Sequence, residues 1–207
     1  MFTEKVTSES GSESRGTATE VHALSLLRRS YNRGYAITAT REGGALIRWR
    51  KVNPATSCAL RSISLRPHTE VGDLSEETRR NLAVIDSVRV ARYARSIERP
   101  GCRIIEAGTY EIPVAQTDVL TAHRLVVADR NGRLRLTLSA RLAQIAQEHA
   151  SVIDPSAPVV TCLCGFTVHA RNEEKAAQLQ HAHQARVGAL FVESLSATFT
   201  AAVAATA

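Results

Sequence analysis

The chain has 207 residues, 44% of them apolar but only 4% aromatic, and carries a formal net charge of +6 with a pI near 9.5. That length suits one domain or a few small ones, with cores built from Leu, Ile, Val and Ala rather than from rings. No apolar run approaches the roughly 18 residues of a membrane span, the polar, Ser- and Glu-rich start lacks the apolar stretch of a secretory signal, and the four cysteines do not form a disulfide framework; a cytoplasmic chain without a membrane partner is expected.

Residues 1–18 read as a disordered tail, being rich in Ser, Gly and Glu. A helix is predicted from Thr19 to Asn32, with Val21, Leu24, Leu27 and Tyr31 on its apolar face and Gly34 as its stop. A hairpin follows: strands Ala36–Thr40 and Ala45–Val52 flank the turn Arg41-Glu42-Gly43-Gly44. On the second strand Ala45, Ile47 and Trp49 share one face, so Arg48 and Arg50 point the other way. A third strand is predicted over Ala59–Leu65.

Ser75 then reads as the cap of a helix opening with Glu76 and Glu77 and running to about Ile97, with Pro100 and Gly101 ending it. Residues 19–100 thus form a basic helix–hairpin–helix module. Residues 21–70 alone hold nine basic and two acidic side chains. Of the 26 basic residues in the chain only Lys5, Lys51 and Lys175 are lysines. GC-rich codon usage explains such a bias, and so does phosphate recognition by the planar guanidinium. On the second reading Arg48, Arg50 and Lys51 are phosphate contacts. The stretches "RGYAITATREGGALIRW" and "LSEETRRNLAVIDSV" together resemble the N-terminal docking domains of the tubulysin-synthase type. That resemblance implies a protein partner.

Over 101–150 the pattern is a helix ending near His123, a strand at Leu125–Val127, the turn Asp129-Arg130-Asn131-Gly132, a strand at Leu134–Leu138, and a helix holding Leu142, Ile145 and Ala146. Helix, Asn-Gly hairpin and helix in this order resemble the second half of winged-helix domains. The resemblance implies DNA binding, with Gln116, Thr117 and Thr121 on the helix entering the groove and Arg130, Arg133 and Arg135 on the wing. Two further helices would have to precede it, and only Arg103–Glu106 and the helix from Ser75 could supply them.

Residues 151–159 read as a linker, with Pro155 and Pro158. The segment 160–187, "VTCLCGFTVHARNEEKAAQLQHAHQARV", carries the chemistry. Cys162 and Cys164 form a tight thiolate pair and Gly165 permits the turn that brings the sulfurs together. A strand-like "FTVHA" follows, then a helix capped by Asn172, whose far end bears His181 and His183. Two thiolates and two imidazoles complete a tetrahedral set suited to Zn2+ in a structural role. Residues two apart point about 200° apart on a helix, so either the helix unwinds there or one histidine drops out and His169 substitutes. Cysteine pair, hairpin, helix and histidine pair resemble ββα zinc fingers, in particular the C-x-C-G fingers of actinobacterial and phage proteins. Residues 188–207 continue as an apolar-faced helix with a frayed tail, a surface for packing or self-association.

The expected class is therefore α+β: small modules of helices with β-hairpins, a ββα zinc-finger-like module and a C-terminal helix. No Gly-Lys-Ser/Thr phosphate loop, G-x-S-x-G elbow, H-E-x-x-H or dinucleotide fingerprint occurs. A non-enzymatic, DNA-binding regulator is expected; the alternative is an adaptor that acts through protein–protein contacts.

Overall fold

A computed structural model describes residues 1–8, 12–48, 62–154 and 159–204 of the chain. The class is α+β, with five helices and small antiparallel sheets among the described residues. The first sheet is built from β1 (Phe2–Thr7), β2 (Glu13–Ala18), β3 (Ala36–Ala39), β4 (Ala45–Arg48) and β5 (Ser62–Pro67), in the order β2-β1-β5-β4-β3. The tail expected to be disordered is thus two paired strands. Phe2 stands opposite both Ala18 and Pro67, all three are buried, and so the first rung closes over the core. The polar composition misled because β2 is an exposed edge strand whose side chains meet water, except at Ala18.

Helix α1 (Glu20–Asn32) starts where expected, with the Thr19 hydroxyl accepting from the His22 amide. Its buried stripe is Ala23, Leu27 and Ser30, whereas Val21 is 78% exposed. The face is rotated by about one residue from the predicted one. The helix leaves through Gly34 at φ +72°, with the Tyr35 amide donating back to the Ser30 carbonyl, the six-to-one bond of a Schellman exit. On β4, Ala45 and Ile47 are buried and Arg48 is exposed, as the alternation predicts. Trp49, Arg50, Lys51 and Cys58 lie outside the described residues, as do parts of the predicted strands Ala45–Val52 and Ala59–Leu65.

The second unit contains α2 (Glu76–Ser87), β6 (Ala91–Arg95), β7 (Arg103–Ala107), β8 (Tyr110–Ile112), α3 (Val114–Ala122), β9 (Val126–Ala128), β10 (Leu134–Leu136) and α4 (Leu138–Glu148). Ser75 caps α2 through the Thr78 amide, but the helix ends at Ser87, ten residues short of Ile97. Val88 leaves the helix in an extended conformation (φ −92°, ψ 149°), and Ala91–Arg95 forms β6 of the sheet β6-β7-β8, its partner Arg103–Ala107 overriding local helical preference. Arg103–Glu106 is strand too, so α3 is preceded by a three-stranded sheet rather than by a helix pair.

Three hairpins use one turn. The amides of Thr40, Asp129 and Cys162 donate to the carbonyls of Gly44, Arg133 and Phe166, and each turn holds a glycine at positive φ, Gly43, Gly132 and Gly165. This is the three-residue loop in which a left-handed residue closes a type I turn.

Two apolar cores result. One holds Leu27, Ile37, Ile47 and Leu65 under the first sheet, and the other Leu82, Ile105, Ile112, Leu120 and Leu136. Helix α4 serves both: Leu138 and Leu142 enter the first, Ala140 and Ala143 the second. Gln147, buried on the same helix, donates to the Gly72 carbonyl at 3.1 Å and accepts from the Leu74 amide at 2.9 Å, which ties the 71–74 loop to α4. Glu20 accepts at 3.0 Å from both the Leu138 amide and Arg135, so α1 supplies an anionic cap for α4.

Helix α5 (Glu173–Ala204) is one continuous helix across the boundary expected at residue 187. At Gly188 it lies on β3 so closely that a Cβ would sit 2.1 Å from the Ile37 carbonyl oxygen. Gly188→Ala is therefore expected to lower stability by about 2 kcal/mol in denaturant unfolding, the overpacking cost exceeding the helix-propensity gain. Arg124, exposed at φ +51°, occupies in the α3 exit the place Gly34 takes after α1. Arg124→Gly should accordingly raise the unfolding midpoint, by about 0.5–1 kcal/mol of stability.

Candidate metal centre

The third sheet, β11 (Ser151–Asp154), β12 (Val159–Cys162) and β13 (Thr167–His169), follows α4 without a spacer. Residues 151–154, expected in a linker, pair with β12, with Ser151 opposite Cys162; residues 155–158 lie outside the described set. The Cys162 amide donates to the Phe166 carbonyl and the Gly165 amide to the Cys162 carbonyl, which folds Cys162-Leu163-Cys164-Gly165 into the tight turn. Gly165 sits at φ +88°, a backbone conformation that a side chain would strain.

The turn is fastened to α4. The Leu163 amide donates to the Ala150 carbonyl at 3.0 Å, and Ala150 follows directly on His149, the residue that terminates α4. From the other side comes α5, capped by Asn172, whose side-chain oxygen accepts from the Lys175 amide at 2.8 Å. It presents His183 to the turn, with the Phe166 ring stacked on the imidazole at 4.3 Å and 3°.

Four ligating side chains converge: His149, Cys162, Cys164 and His183 bring one donor atom each within 4.8 Å of one another. His149 Nδ1 lies 3.3 Å from His183 Nε2 and 3.7 Å from Cys162 Sγ, and His183 Nε2 lies 3.5 Å from Cys164 Sγ. A tetrahedron with Zn–N bonds of about 2.05 Å and Zn–S bonds of about 2.3 Å has edges of about 3.3 Å between nitrogens and about 3.6 Å between nitrogen and sulfur. All three separations match those edges. The set could hold a metal ion such as zinc.

The surroundings set the protonation of two of these groups. Burial lowers the His183 pKa, with His149 and Arg186 adding repulsion, so the imidazole is held in its neutral, ligating form. Burial raises the Cys162 thiol, which is sealed from solvent. That sulfur keeps its proton until a cation displaces it, so loading releases protons and strengthens as pH rises.

The site departs from the sequence-based expectation at one ligand. Cys162, Cys164 and His183 meet as predicted. His181 does not join them: it is exposed, for two residues along α5 turn it away from His183. One histidine of the pair does drop out, but the substitute is His149, not His169, which is exposed on β13. The signal lies in the order His149, Cys162, Cys164, His183, with the first histidine at a helix end just before β11, the strand that pairs with the cysteine-bearing β12. Cys102 is half-buried and stands apart.

The expected nucleic-acid contacts fare unevenly. Arg48, Arg130 and Arg133 are exposed. Arg135 is engaged by Glu20 at 3.0 Å. The α3 face expected to enter a groove is turned inward. Thr117 is 1% exposed and its hydroxyl donates to the Ile112 carbonyl, Thr121 donates to the Thr117 carbonyl at 2.8 Å, and Gln116 is held by Glu77 at 2.7 Å. In this structure the three α3 side chains bond within the chain, and Arg135 pairs with Glu20.

Among the described residues no helix is long and apolar enough to cross a membrane. No family model, no curated protein and no solved structure matches the chain.

If His149 completes the set, His149→Ala should abolish stoichiometric zinc in the purified protein while His181→Ala retains it, as plasma mass spectrometry would show. Retention of zinc by His149→Ala with its loss from His181→Ala would restore the alternative ligand.

Proposed function

We propose that this protein is a non-enzymatic DNA-binding regulator. On this reading a structural zinc ion, held by His149, Cys162, Cys164 and His183, fastens the C-terminal hairpin and α5 to the rest of the chain. The convergence of the four donors within 4.8 Å, with three of their separations at tetrahedral edge length, carries the metal assignment. Four protein ligands leave no position open for water or substrate, so the ion holds structure rather than activating a reactant. The metal also makes energetic sense. Within 159–183 the buried side chains among the described residues are Val160, Cys162 and Ala176, too few to order a hairpin and a helix alone.

DNA as the partner is supported by the arginine-dominated positive charge and by Arg130 and Arg133. These two project from the β9–β10 turn and make no ion pair among the described residues. The turn itself is rigid, since Asp129 Oδ1 accepts from the amides of Asn131 and Arg133 at 2.8 and 3.0 Å. Unpaired guanidiniums on a braced hairpin tip suit backbone phosphates.

Binding of the zinc-loaded protein to a labelled duplex should weaken steeply with salt, because each phosphate contact releases counterions and adds about 0.9 to the slope of log affinity against log salt. Arg130→Ser/Arg133→Ser should reduce that slope by about two. A flat salt dependence, or no binding at low salt, would refute the DNA reading and leave the adaptor reading, with a protein partner.

A further inference from the structure

The β6–β7 hairpin carries a charge arrangement that the fold does not need. Its ladder is regular: Ala91, Arg92, Tyr93, Ala94 and Arg95 stand opposite Ala107, Glu106, Ile105, Ile104 and Arg103. Near the sheet the ladder neutralises itself, Arg92 meeting Glu106 at 2.9 Å. At the outer end the opposite choice is made, with Arg95 placed directly across from Arg103. Like charges on facing rungs repel, and neither arginine has an ion-pair partner among the described residues.

Arg103 is also fixed in place. Its guanidinium lies over the Tyr93 ring at 4.9 Å, and the Tyr93 hydroxyl is in turn held 3.2 Å from that of Thr121 on α3. Arg95, Arg103, Tyr93, Ala94, Gly101 and Cys102 line a surface depression of about 470 Å³. A guanidinium stacked on an aromatic ring keeps its edge donors free for an anion.

The loop beyond these arginines is ordered, not loose. The Ser96 amide donates to the Cys102 carbonyl, the Cys102 amide to the Arg99 carbonyl, and the Arg99 amide to the Ser96 hydroxyl at 3.1 Å. On this braced loop Ile97 is 96% exposed, the most exposed of the large apolar side chains among the described residues. Arg99 stands two residues on, and Glu98 is the single acid between Arg95 and Arg103. A rigid tip that combines an apolar wedge with flanking arginines has the makings of a groove-binding hairpin.

We propose that the β6–β7 tip is a DNA-contacting surface, in which Arg95 and Arg103 clamp a backbone phosphate, Arg99 adds a second contact, and Ile97 enters the groove. A phosphate between Arg95 and Arg103 converts their repulsion into a bridge, and the groove supplies the apolar contact that Ile97 lacks. This surface is separate from the Arg130–Arg133 turn. The inference rests on the DNA reading above and assigns it a second point of contact.

The test compares the zinc-loaded full chain with three variants by fluorescence anisotropy on one labelled duplex across a salt series. Zinc content and melting temperature are measured alongside. Arg95→Ser/Arg103→Ser should cut affinity at least about tenfold and lower the salt slope by about one to two. Ile97→Ser should weaken binding several-fold with the slope unchanged. Because Ile97 is exposed, its replacement leaves the fold intact and keeps the question answerable even if the arginine pair proves structurally costly. Unchanged affinity and slope in both variants, with loss on Arg130→Ser/Arg133→Ser, would overturn this surface while sparing the DNA reading. Absence of wild-type binding at low salt would overturn both.

Discussion

Helix α4 has to satisfy two hydrophobic cores and a cluster of metal-ligating groups in 11 residues. Its leucines, Leu138 and Leu142, are four apart and lie on the side of the first sheet; its alanines, Ala140 and Ala143, lie on the side of the second unit. Gln147 is buried on this helix, and its side-chain amide bonds to the Arg41 and Gly72 carbonyls and the Leu74 amide, which would otherwise be unsatisfied. At the last residue the helix hands the chain to His149. The two N-terminal units and the C-terminal hairpin are therefore aligned by one short element.

Much of what local chemistry dictates was legible in the sequence. Ser75 and Asn172 cap their helices, and the Gly43 and Gly132 turns close their hairpins, because each depends on a few neighbouring residues. The misreadings share another cause. Strands β1 and β2 look like solvated chain, since only Phe2 and Val6 mark an apolar face, and their partner β5 lies about 60 residues away. The end of the helix after Ser75 has no local marker before Pro100, because Ala91–Arg95 is made a strand by its pairing with Arg103–Ala107. Thr117 and Thr121 look like polar recognition residues in the sequence, but their hydroxyls return to backbone carbonyls, which offsets the cost of burying Thr117.

The metal-ligating cluster shows the same division. The cysteine pair and Gly165 are a local motif, legible from spacing alone. His181 and His183 are legible as a pair, of which helix geometry turns only one toward the cysteines. His149 belongs to the cluster through the turn of chain from α4 into β11 and the bond from Leu163 to Ala150, a tertiary relationship with no local signature. Ligand sets that span domain boundaries are hidden from spacing rules, which assume that a finger is contained in one short segment.

Helix α5 is attached at two separate points. His183 belongs to the ligand cluster, and Gly188 and Val192 are pressed against the first sheet five and nine residues further on, a rise of roughly 8–14 Å. The second attachment does not depend on the first. On the zinc reading, withdrawing the ion would let residues 159–183 fray while the stretch around Gly188 to Val192 stays seated, so the free energy of holding the ion would be set against that small opening and not against unfolding of the whole chain. Such a centre would exchange its ion on the timescale of the fraying, with the remainder of the molecule acting as a template onto which the hairpin closes again.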